Sequence, residues 1–89
     1  MKEDLFRVFL ESEGLTANGV NSRMAKVRKV EAILGQDLDT LVANDKKMAH
    51  ALKDLQAFDS KEHAPYQNAL RKYYKFKNGK EFPKLRDFK

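Results

Sequence analysis

Apolar residues in this chain recur at helical spacing, and three of its four glycines stand where a recurrence ends. Leu5, Phe6, Phe9 and Leu10 precede Gly14. Val20, Met24, Val27, Val30, Ile33 and Leu34 precede Gly35, and Tyr66, Ala69, Leu70, Tyr73 and Phe76 precede Asn78-Gly79. Steps of three and four put each set on one side of a helix, and a glycine just beyond takes the left-handed conformation that ends it. Thr16 stands where the second helix needs an N-cap, and Pro65 falls in the first turn of the last, where its missing N–H costs nothing. Between them, Asp37–Val42 reads as one short helical turn capped by Asp37 or Gln36. Met48, Ala49, Leu52 and Leu55 mark a further helix over Asp45–Leu55, capped by Asn44 or Asp45. No segment alternates with period two over more than four residues. The expected fold is all-α: a small bundle of four main helices plus one short helix.

The domain is expected to end at residue 79. In the tail, residues 80–89, Pro83 blocks continuation of the last helix while Phe82, Leu85 and Phe88 recur every three residues. That stripe packs back on its own domain or meets a protein partner or a second copy, which makes the three residues candidate interface positions.

Several function classes are excluded by what the chain lacks. It has no cysteine among its 89 residues, so a disulfide framework, a thiolate zinc site and a cysteine nucleophile are impossible. Apolar runs are too short to span a membrane, and the opening MKEDLF has no signal-peptide character. A cytoplasmic location is the expectation. His50, with Asp54 one turn on, reads as a surface pair, and His63 before Pro65 as a helper at the start of the last helix. No glycine-rich phosphate loop or serine-centred nucleophile elbow occurs. Neither enzymatic activity nor a cofactor is expected.

The net charge of +5 is unevenly placed. Residues 16–35 hold four basic side chains (Arg23, Lys26, Arg28, Lys29) against Glu31, and residues 61–89 hold nine basic against three acidic. Residues 1–15 and 36–60 are each net acidic. A folded chain of this layout can turn a positive side to a polyanion. On helical projection the second helix sets Ser22, Lys26 and Lys29 opposite its apolar stripe, and the last sets Asn68, Arg71, Lys72 and Lys75 opposite its own. Cations neutralise phosphates, while Ser, Asn and Arg reach base edges. Arg23 falls at the edge of the apolar arc and needs to snorkel or to pair, with Glu3 or Glu11 as partners. The two helices also share a pattern: Val27-Arg28-Lys29-Val30 aligns with Leu70-Arg71-Lys72-Tyr73, and Ile33 with Phe76.

The run from Leu15 to Gly35 (LTANGVNSRMAKVRKVEAILG) and the run from Tyr66 to Phe76 (YQNALRKYYKF), with the opening Leu5–Leu10 and Glu13-Gly14-Leu15, resemble the SAM-like core-binding domain of phage integrases and other tyrosine recombinases. The likeness covers residues 4–78. The family's turn threonine is Gly19 here, and its aromatic after the serine is Arg23. The resemblance implies two crossed helical hairpins that clamp double-stranded DNA. It makes Ser22, Lys26, Lys29, Asn68, Arg71, Lys72 and Lys75 the DNA-facing positions. Recombinase chemistry belongs to a separate catalytic domain, so the expectation is a non-catalytic DNA binder, either a domain excised from a longer protein or a free-standing relative of the kind that mobile elements and gene cassettes encode. The alternative is a helical protein-interaction or homodimerisation module. Tyr66 and Tyr73 are expected in the core.

Overall fold

The computed structural model describes residues 1–59 and 63–88. Among these residues five α-helices follow one another: α1 Glu3–Ser12, α2 Ala17–Leu34, α3 Leu38–Val42, α4 Asp45–Leu55 and α5 Pro65–Asn78, and a 3₁₀ turn, Leu85–Asp87, lies in the tail. No strand occurs among the described residues. The all-α expectation therefore holds, with α3 as the short helix. A radius of gyration of 12.2 Å equals the value of about 12 Å typical of a folded chain this long.

Local chemistry sets most helix ends. The Thr16 hydroxyl accepts from Gly19 N–H at 3.1 Å, Asp37 from Thr40 N–H at 3.2 Å, and Asn44 from Lys47 N–H at 3.0 Å. Each cap satisfies an amide that the first turn leaves without a carbonyl partner. Gly35 and Gly79 close α2 and α5 at φ 63° and 72°, in the region where a side chain is strained.

The apolar stripes meet in one core. Phe6, Leu10, Met24, Val27, Leu38, Leu52, Leu70 and Tyr73 are among its fully buried members. Its centre is aromatic: the Phe6 ring lies 5.0 Å from Tyr73 and 5.4 Å from Phe76, and Phe9 lies 5.5 Å from Phe76. These edge-on and tilted contacts fix α1 against α5. Leu5 departs from the expected stripe and is 61% exposed, as is Val8. It sits roughly 100° round the helix from Phe6 and about 140° from Leu10, outside the arc from Phe9 to Leu10 that meets the core, and Phe9 at the near edge of that arc is only partly buried.

The tail returns to the domain. Phe82 is buried beside Tyr74, with ring centres 5.1 Å apart, and Phe88 lies 5.3 Å from Phe82. Leu85 and Phe88 are partly buried against the same core.

Candidate nucleic-acid interface

Helices α2 and α5 make the most extensive contact of any pair in the fold. Their stripes bury Val20, Met24 and Val27 on one side, and Ala69, Leu70 and Tyr73 on the other. The polar edges of both helices are thereby brought together along the crossing. The start of α5 is held from a distance, because Asp59 accepts from Tyr66 N–H at 2.7 Å and Gln67 N–H at 2.9 Å. Ala64, at φ 43°, supplies the turn into the helix without a side-chain cap of its own.

A groove runs along this crossing as two adjoining depressions of about 530 and 380 Å³, which share Arg23 and Asn68. Arg71, Lys72, Lys75 and the tail residue Lys84 line the larger, while Ser22 and Lys26 line the smaller. Glu81 is the acidic residue among the described lining. Of the seven positions singled out on the two helices, six share this groove. Lys29 does not. It is exposed on α2 about one turn past Lys26, and two crossing helices share a wall only near the crossing.

The groove residues differ in how free their polar atoms are. Lys26 Nζ donates to Ser22 Oγ at 2.8 Å, and Asn68 Nδ2 donates to the His63 carbonyl at 2.7 Å. Arg71 is committed to the tail: its Nη1 donates to the carbonyls of Phe82 at 2.9 Å and Pro83 at 3.1 Å. Its guanidinium also lies 5.8 Å from the centre of the Phe82 ring. Burial works against the Arg71 charge, and nearby Glu81 offsets part of that effect. Lys72 and Lys75 both reach Glu13 Oε1, at 3.1 and 3.2 Å. Their hydrogen bonds hold the Glu13 carboxyl below the usual carboxylate range.

Two of the lysine and arginine side chains lining the groove, Arg23 and Lys84, lie outside the seven positions singled out from the sequence. Arg23 is expected to snorkel or to pair with Glu3 or Glu11; Glu3 is taken by Arg28 (2.6 Å to Nη2), and Arg23 reaches into the groove. The signal was present: an arginine at the edge of an apolar arc must reach outward. Lys84 enters through the folded-back tail, which no helical projection could place. His50 and Asp54 are exposed on α4. Among the described residues, no group of three or more His, Cys, Asp or Glu side chains is placed to hold a metal ion. No helix is long and apolar enough to cross a membrane.

The α2–α5 pairing has the character of two basic amphipathic helices packed by their apolar faces. No family model, no curated protein and no solved structure matches the chain.

Proposed function

We propose that this chain is a non-catalytic double-stranded DNA-binding domain, of the kind its likeness to the integrase core-binding domain implies. It grips the duplex by phosphates seated in the α2–α5 groove. One observation carries the reading: residues far apart in sequence, chosen for charge and helical position, share a groove. Lys26, Arg71, Lys72 and Lys75 line it and are joined there by Arg23 and Lys84, with Glu81 as the opposing carboxylate. Such a wall suits a partner with closely spaced negative charges, and each phosphate it neutralises releases counterions from the nucleic acid. Ser22 and Asn68 add hydrogen-bonding groups within reach of a sugar, phosphate or base edge.

The test is duplex binding by fluorescence anisotropy over a range of salt. Affinity should fall linearly in log–log form, with a slope of about 0.9 per phosphate contacted. Lys26→Glu combined with Lys75→Glu should abolish the binding while leaving the helical circular-dichroism spectrum unchanged. Binding retained by that double variant would overturn the reading.

A further inference from the structure

Two lysines one turn apart on α5 converge on a single oxygen of Glu13, which lies 59 and 62 residues earlier in the chain. Left alone, Lys72 and Lys75 would repel across an i, i+3 spacing. The carboxylate between them removes that repulsion, with two ammonium groups donating to one anionic oxygen. A phosphate oxygen can accept the same pair of charge-assisted bonds.

Glu13 receives no support from its own helix. It is the C-cap residue of α1, at the negative end of the helix dipole, and the last turn of α1 carries no basic side chain. What holds the carboxylate is therefore the lysine pair. That pair is open to competition, since Glu13, Lys72 and Lys75 side chains are 26%, 26% and 34% exposed. Water and salt screen such contacts, and a stronger anion can replace them.

We infer that Glu13 is a built-in competitor for the polyanion, occupying Lys72 and Lys75 at rest and giving them up when a duplex phosphate enters the groove. The inference rests on the DNA-binding reading and adds its regulation. At rest the richest part of the groove is partly self-neutralised. Isolated anions gain little from it, because each must displace a carboxylate already held at two points. A duplex carries a charge about every 1.7 Å of its axis and engages the rest of the wall at the same time, so it can afford the exchange. Glu13 thus sets a threshold of charge density below which the groove stays closed to anions.

The experiment compares duplex affinity of the wild-type chain, Glu13→Gln and Glu11→Gln as a function of salt. Glu11 is exposed on the same helix, so its variant removes equal charge away from the lysine pair. Glu13→Gln should bind about three- to tenfold more tightly at low salt. Its salt slope should be steeper by up to about 2, from two cations newly free to meet phosphates. Glu11→Gln should change both only slightly. A Glu13→Gln affinity equal to wild type, or matched by Glu11→Gln, overturns the inference while leaving wild-type binding to stand. Absence of duplex binding by every form overturns both readings, whereas binding by Glu13→Gln alone supports a site held shut. A second measurement uses the unaltered protein: carbon-13 NMR titration of the Glu13 carboxyl. Its pKa should rise when duplex is added, because the lysines leave it, and an unchanged pKa in the complex overturns the inference.

Discussion

The Tyr73 hydroxyl donates to Asp39 Oδ1 and accepts from the Lys2 N–H at 2.9 Å, joining α5 to α3 and to the N-terminus through one buried phenol. Burial and the adjacent carboxylate push this phenol well above its ordinary pKa. Tyr73→Phe keeps the ring contacts with Phe6 and Phe76 but leaves the Lys2 amide without its acceptor and Asp39 Oδ1 with the Lys77 ammonium 3.7 Å away in place of a hydrogen bond. Leaving such part-buried polar groups unsatisfied should cost about 1–3 kcal/mol in chemical denaturation, with helix content at the native level unchanged. A loss near zero would mean that water replaces the hydroxyl.

The second tie at this end is the terminal ammonium of Met1. It lies 3.0 Å from Asp37, 3.5 Å from Asp39 and 3.9 Å from Glu31. The hydrogen bond to Asp37 is the main cause that raises its pKa above the ordinary value of 8.0. A cationic group whose pKa is raised by folding contributes fully below its unfolded pKa and loses that contribution as pH climbs through the folded one. Stability should therefore decline above about pH 8. The measurement should stop near pH 9.5, because Tyr73 and Tyr74, also raised, add a decline of the same sign above about pH 10. Acetylation of Met1, or an upstream tag that makes this nitrogen an amide, should lower stability at pH 7 and flatten the pH 8–9.5 limb.

The junction before α5 offers changes of opposite sign. Asp59→Ala removes the acceptor for the Tyr66 and Gln67 amides and should cost about 1–2 kcal/mol, the range for a lost N-cap. Hydrogen exchange at those two amides should accelerate. Ala64→Gly relieves a left-handed alanine and should stabilise by about 1 kcal/mol, less the entropy glycine loses on folding. Thermal denaturation reads both, and a destabilised Ala64→Gly would refute the strain at that residue.

These ties separate what was legible in the sequence from what was not. Thr16, Asp37 and Asn44 cap the helix they stand beside, each bonding an amide three residues on, and residue type with position sufficed to find them. The apolar stripes were legible for the same reason, since their period is a property of one helix. The roles of Asp39 and Asp45 were not: Asp45 reads as an alternative cap for α4, and the two accept from Tyr73 and Tyr74 across the bundle. Asp59 caps a helix that begins six residues later, a reach that residue type and position beside a helix do not show. In the groove, charge and helical angle picked out six residues, but the reach of Arg23, the counter-charge of Glu13 and the entry of Lys84 depend on how helices cross. Period constrains one element at a time, and the pairing between elements follows from shape.

Arg71 makes two hydrogen bonds and a ring contact to the tail. Its place in the groove thus admits two roles, as a direct phosphate ligand or as the latch that holds Lys84 there. Lysine cannot reproduce a planar fork stacked on a ring, so Arg71→Lys should loosen the tail nearly as much as Arg71→Ala. Phe82→Ala, which empties a buried site, should cost about 3 kcal/mol or more and release the tail outright. A double-mutant cycle on duplex affinity separates the roles. If Arg71 acts as the latch, Arg71→Ala already removes Lys84 from the groove, and adding Lys84→Ala should weaken binding no further. Additive losses would instead make both residues independent phosphate contacts. The bonds to Phe82 and Pro83 favour the first outcome, since an Arg71 turned to phosphate would have to abandon both.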